Sequence, residues 1–182
     1  MSNEKSCAST SINWYPGHMA KTMKQVEEDL KLVDIVIEIL DARIPISSQN
    51  PEVQKLIKNK KKIVILNKSD LANEAETDKW IKYFEKKHVP SILCNSNNGM
   101  GANNIVGKIN EMMTEERNIA QQKGRNKIAR AMIIGVPNVG KSSFINRVSS
   151  KTAMKVGNSR EYSYYCPDKK VWEETGYFNK NM

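Results

Sequence analysis

The sequence predicts an α/β domain, a mostly parallel sheet with helices on both faces, and three observations predict it. Short apolar runs alternate along the chain with segments whose apolar residues recur every three or four positions. Runs such as Asp34–Leu40 and Lys62–Leu66 lack the regular in–out alternation of a half-solvated strand, so both of their faces should be covered. A further run leads straight into a glycine-bounded turn, Gly135–Ser142, that opens a helix.

Each element follows in order. Met19, Met23, Val26, Leu30 and Val33 recur at spacings of four and three and predict one apolar helical face. "DIVIEIL", Asp34–Leu40, predicts a buried strand ending at Asp41-Ala42-Arg43. "PEVQKLIKN" starts with Pro51 at a first helical position and turns Val53, Leu56 and Ile57 inward. "KIVIL", Lys62–Leu66, predicts the second strand, Trp80, Ile81 and Phe84 the helix after it, and "SIL", Ser91–Leu93, a short third strand. Ile105–Met113 predicts another helix, and the polar Glu115–Lys127 stretch, which holds Gly124, a helix end plus a connector. "IARAMII", Ile128–Ile134, predicts the strand before the glycine-bounded turn, and "SFINRVSS" the helix after it.

Composition limits the function classes. At 182 residues and 39% hydrophobic, the chain is sized for one domain with a real core. A net charge of +9 is compatible with a polyanionic partner such as RNA and equally with a lysine-rich surface of no special purpose. Cys7, Cys94 and Cys166 are odd in number and lack zinc-site spacing, which suits a reducing cytosol. No apolar segment has signal-peptide or membrane-spanning length, so a cytoplasmic protein is expected. The run Lys58–Lys62 is expected to form a solvated rim, with RNA contact as the functional alternative.

Gly135-Val136-Pro137-Asn138-Val139-Gly140-Lys141-Ser142 fits GxxxxGK[ST] between a strand and a helix, the context that the motif requires. Its glycines let the backbone curl so that amide N–H groups face phosphate oxygens, and the helix behind adds its positive end. Lys141 would neutralise the outer phosphates and Ser142, followed by Ser143, would ligate Mg²⁺. A second turn, Asn67-Lys68-Ser69-Asp70, leaves a buried strand at the end where ligand crevices form. The Asp70 carboxylate can accept from both N1–H and N2–H₂ of guanine, a donor pair that adenine lacks. A site built on such pairing rejects the wrong base by roughly 10⁴. The Lys68 stem can lie over the base, and Asn67 can tie the two turns together. Taken alone, "NKSD" is also an ordinary polar turn. "CNSNNGMG", Cys94–Gly101, places Asn95, Ser96 and backbone N–H groups where the base O6 would be read, and taken alone is equally a glycine-containing loop.

In order and content, "NWYPGHMAKT" (Asn13–Thr22), "LDAR" (Leu40–Arg43), "LNKSDL" (Leu66–Leu71), "NS" (Asn95-Ser96) and "GVPNVGKSSFIN" (Gly135–Asn146) resemble the circularly permuted GTPases of large-ribosomal-subunit assembly, the YlqF/RbgA family. A domain whose ends lie close can be reopened elsewhere without losing its sheet, which accounts for a base loop ahead of the phosphate loop.

The resemblance implies a P-loop GTPase domain over 13–158, preceded by a disordered segment 1–12 and followed by a divergent tail 159–182 read as a truncated switch region, without the family's helical RNA-contacting domain. It implies GTP/GDP and Mg²⁺, with K⁺ held beside the phosphates through Asn138, which is otherwise a tolerated turn residue. It implies nucleotide contacts by Pro137, Val139 and Gly140 beside the residues above, and a catalytic His18, which is otherwise structural or RNA-facing. The expected partners are the large ribosomal subunit and its rRNA, without membrane or DNA, and a monomer is expected. The family's Asp-x-x-Gly switch has no match, since no Asp in the 182 residues is followed three positions later by Gly. Guanine-nucleotide binding without hydrolysis, as an RNA or ribosome interaction module, is the alternative.

Overall fold

The computed structural model describes the backbone of residues 17–148, 162–166 and 171–173, and side chains over 23–148. Helices α1 (Gly17–Leu30), α2 (Pro51–Leu56), α3 (Glu74–Lys86), α4 (Asn104–Met112), α5 (Thr114–Gln122) and α6 (Lys141–Val148) surround strands β1 (Ile35–Asp41), β2 (Lys61–Asn67), β3 (Ser91–Leu93) and β4 (Ala131–Ile134). Two more strands, β5 (Tyr162–Cys166) and β6 (Val171–Glu173), extend the sheet, whose order is β3-β2-β1-β4-β5-β6. The first four are mutually parallel, and β5 and β6 join antiparallel.

β1 is buried along its whole length, as a central parallel strand covered on both faces must be. Its odd-numbered residues Ile35, Ile37 and Ile39 join Ile63, Ile65 and Ile133 on one face, under Ile105 and Ile109 of α4 and Phe144 and Ile145 of α6. On the other face Val36, Met132 and Ile134 meet Val26 and Leu30 of α1 and Val53 of α2, while Leu40, Val64 and Leu66 meet Phe84 of α3. Emptying a site as buried as Phe144 by truncation to Ala costs about 3–5 kcal/mol. The Asn50 side chain accepts from the N–H groups of Glu52 and Val53 and caps α2, whose first residue is Pro51.

Several expectations need correction. The polar stretch after Met113 is a separate nine-residue helix, α5, rather than a helix end: Met113 closes α4 on the core side and Thr114 begins a helix with no buried residue. Val33 keeps the helical spacing but lies past the end of α1, in the turn before β1, where it is buried all the same. β4 begins at Ala131, three residues later than the apolar run. The Lys58–Lys62 run is not a uniformly solvated rim. Lys60 donates to Val33 O, Lys61 to Met112 O and Lys62 to Glu38, so these stems lie along the protein with their ammonium groups fixed.

The segments 1–12 and most of 159–182 lie outside the described residues, apart from β5 and β6. Among the described residues no helix is long and apolar enough to cross a membrane.

Candidate nucleotide-binding site

β1, β2 and β3 follow one another outward across the sheet, and β4 then returns to the far side of β1. In doubly wound sheets, ligands are held at the carboxyl ends of the strands where the order reverses in this way. The loops leaving β2, β3 and β4 all emerge there.

One side chain joins the three loops. Asn67, 2% exposed, ends β2; its Nδ2 donates to Val139 O in the phosphate loop at 2.8 Å. Its Oδ1 accepts from Ser96 N at 3.0 Å and from Ser96 Oγ at 2.8 Å. Ser69 adds a second tie, its N–H and hydroxyl both donating to Cys94 O at 3.2 and 3.0 Å. Donor and acceptor of Asn67 are both spent on buried partners, so its identity is fixed by hydrogen bonding.

The phosphate loop is shaped by close backbone approach. A Cβ on Gly140 would lie 2.3 Å from Asn67 Nδ2, at φ +101, and one on Gly135 would lie 2.6 Å from Ile39 O. Asn138 also takes the left-handed region, at φ 61, which Asn tolerates better than most residues. Pro137 and Asn138 are exposed at the rim, whereas Val139 packs into the core. Lys141 is the first residue of α6 and is 9% exposed; its Nζ donates to the carbonyls of Gly135 at 2.8 Å and Val136 at 3.0 Å. The ammonium is therefore held across the mouth of the loop. Ser142 and Ser143 follow in the first turn of α6, both half-buried, beside its positive end.

The base-side loop is equally constrained. Lys68 adopts φ 59, and Asp70 stands exposed in the single 3₁₀ turn Ser69–Leu71. Lys68 Nζ lies 3.2 Å from Oδ2 of Asp41, at the end of β1, and the same carboxylate is gripped by Arg43. The Arg43 guanidinium beside it, with Lys68, holds the Asp41 carboxyl well below the usual carboxylate range. The hydrogen-bonded carboxylate of Asp41, with the more distant charge of Asp70, keeps the Arg43 guanidinium above its usual range. The spacing of the sequence singled out Asn67, Lys68 and Asp70 but gave Asp41 and Arg43 no role. Only the pairing of β1 with β2 brings them there: Asp41 and Asn67 are register partners at the exits of adjacent parallel strands.

In the third loop, Oδ1 of Asn95 accepts from the N–H groups of Asn97 at 2.9 Å and Asn98 at 3.3 Å, and Ser96 turns to Asn67. Asn95 and Ser96 thus shape the loop from inside, and the N–H groups expected to face a base oxygen have these intramolecular partners. Gly101 closes the loop where nothing larger fits, since a Cβ there would be 1.8 Å from Leu93 O. Burial pushes the Cys94 thiol up, so it packs as a neutral group. His18 belongs to α1, and its side chain lies outside the described residues.

The fold is a P-loop α/β domain in which the Asn67–Asp70 turn precedes the phosphate loop in the chain. The comparisons agree: over 148 residues the chain is 46% identical to ribosome biogenesis GTPase A of Bacillus licheniformis, spanning 81% of this chain and 52% of that protein. Over about four fifths of its length the chain is similar to the circularly permuted GTPases of the YlqF/RbgA family. It is 40% identical over 134 residues to mitochondrial ribosome-associated GTPase 1 of Mus musculus, spanning 73% of this chain and 40% of that one. A family model described as "50S ribosome-binding GTPase" matches residues 130–163. Among solved structures, GNP-bound YlqF from T. maritima matches at a TM-score of 0.55 and 27% identity, spanning 89% of this chain and 60% of that one. A GDP-bound TM YlqF matches at 0.50 and 31%, spanning 70% and 48%. The chain spans about half the length of the curated relatives it matches.

Proposed function

We propose that this domain binds GTP and GDP with Mg²⁺, hydrolyses GTP, and assists assembly of the large ribosomal subunit in the cytoplasm, with rRNA among its contacts. One observation carries the reading: Asn67 joins the loop bearing Asp70 to the phosphate loop through Val139 and to the Ser96 loop. A purine diphosphate reaching from one loop to the other would meet Asp70 at its base and the curled loop and Lys141 at its phosphates. The glycine approaches at Gly135 and Gly140 fit such a ligand, because any side chain there would be driven into Ile39 or Asn67. Ser142 would hold the magnesium ion, which screens phosphate charge when bound. Lys141 would leave the carbonyls of Gly135 and Val136 for the outer phosphates, exchanging two neutral acceptors for ionised ones. Asn138, left-handed at the rim, is the residue through which a potassium requirement would act.

Hydrolysis needs a group that orients water, and His18 is the candidate taken from the family resemblance. Single-turnover GTP hydrolysis by the full chain, with and without large subunits and with potassium or sodium, tests the proposal. Subunit-stimulated turnover supports it. Tight GDP binding with no turnover under any of these conditions would establish the second reading, a nucleotide-binding interaction module. That reading is favoured by one observation, the absence of any Asp-x-x-Gly in the 182 residues. For His18→Ala the expected result is a rate lowered by about 10²–10⁴ with GDP affinity unchanged; an unaltered rate removes His18 from the chemistry. Net charge +9 predicts that subunit binding weakens as salt rises, and binding indifferent to salt argues against an rRNA contact.

A further inference from the structure

Asp41 closes β1 beside Asn67 and is 6% exposed although it carries a charge. Three donors of Arg43 hold it: the backbone N–H at 3.1 Å and Nε at 2.9 Å to Oδ1, and Nη2 at 2.7 Å to Oδ2. Oδ2 also meets Lys68 Nζ at 3.2 Å. Lys68 is therefore fixed at both ends, by a left-handed main chain where it leaves β2 and by a buried carboxylate at its tip. Its four methylenes have to run between those points, across the base-side end of the crevice.

Apart from the Arg43 N–H on Asp41 Oδ1, the turn after β1 is held by other bonds, and the Asp41–Lys68 contact takes no part in it. Ser48 Oγ donates to Pro45 O and accepts from Asp41 N, Ser48 N donates to Ile44 O, and Ala42 N donates to Asn67 O. None of those bonds involves a side-chain atom of Asp41 or Lys68. The Asp41–Lys68 pair is thus directed at the base loop, where Asp70 stands two residues further on.

We propose that Asp41 and Arg43 are positioning residues of the base subsite: Asp41 anchors the Lys68 ammonium so that its methylene stem forms a fixed platform for a purine face, and Arg43 fixes the Asp41 carboxylate in the orientation this requires. The proposal rests on the nucleotide reading above and adds a division of labour to it. A platform is felt by every purine alike, whereas the Asp70 carboxylate distinguishes guanine by its two donors. Loss of the platform should lower affinity without changing preference; loss of the loop itself would change both.

The test is calorimetric titration of the full chain with GDP and with inosine diphosphate, which lacks the exocyclic amino group. Asp41→Asn is expected to weaken both by the same factor, about tenfold, leaving their ratio as in wild type. In a Lys68→Ala background Asp41→Asn should have no further effect, because the two act through one contact. Arg43→Ala, at a half-exposed side chain, carries the test should Asp41→Asn fail to fold, with a smaller loss in the same direction. Wild-type affinity in both Asp41→Asn and Arg43→Ala, a changed GDP-to-inosine-diphosphate ratio, or full additivity with Lys68→Ala overturns the proposal. A wild-type chain that takes up no GDP overturns the nucleotide reading itself, so the two failures are told apart.

Discussion

Replacing Asn67 with Ala removes a side chain that ties three loops together. Val139 O loses its donor, and Ser96 N and Ser96 Oγ lose their acceptor, all in places closed to solvent. The Ser96 hydroxyl can turn toward Cys94 Sγ, 3.8 Å away, whereas the two main-chain groups lose the bond that Asn67 makes to each. Each buried main-chain group left unpaired costs about 1–3 kcal/mol, so the two together should cost about 2–6 kcal/mol, a large share of a typical domain's 5–15. At a urea slope of about 2 kcal/mol per molar, the midpoint should fall by about 1–3 M. The loops also lose their mutual register, so GDP should protect the variant far less than the wild type. At GDP a hundredfold above its dissociation constant the wild type gains about 2.7 kcal/mol, and a variant a hundredfold weaker gains only about 0.4. Urea titrations of both chains with and without GDP measure both effects. An Asn67→Ala chain that unfolds within about 0.5 kcal/mol of wild type, or that GDP protects equally, refutes the role given to Asn67.

Gly140→Ala places a methyl group 2.3 Å from Asn67 Nδ2 at φ +101 and should lower stability by about 2–4 kcal/mol while abolishing GDP protection, both read from the same urea titrations. Asp70→Asn, at an exposed position, should leave the melting temperature unchanged and reduce GDP affinity by about a hundredfold or more, with xanthosine diphosphate gaining relative to GDP in competition. Glu38, on β1, is buried among Lys62, Gln49 and Gln54, and burial raises its carboxyl above the usual range. The unfolded chain therefore ionises first, and stability from this group is complete below pH about 4.5 and is lost as pH rises through the higher folded value. Glu38→Gln should gain on the wild type over that interval in thermal melts taken from pH 4 to 8, and a difference independent of pH contradicts this account.

The sequence makes legible whatever a single periodicity or motif carries. Continuous apolar runs located β1 and β2 within a residue, since a strand covered on both faces has no polar side to confuse the pattern. The glycines at 135 and 140 marked the phosphate loop, because the backbone passes too close to Ile39 and Asn67 for any side chain. The break between α4 and α5 was hidden because neither Gly nor Pro marks it: Met113 ends one helix and precedes the other with φ −103 and ψ 6. The inward lysines were hidden because a long stem can lay its ammonium on a carbonyl far away in the sequence, as Lys61 does on Met112. Asp41 and Arg43 were hidden for a different reason: "DAR" becomes part of the base loop only once β1 and β2 are paired in register.

The central claim is that Asp70 and the phosphate loop form one site for a guanine nucleotide. Isothermal calorimetry of the full chain with GDP and with ADP in magnesium buffer tests it most directly. The account predicts one GDP per chain and binding of ADP weaker by about 10³-fold or more. Absence of GDP uptake by the folded chain, or ADP bound as tightly as GDP, would contradict it.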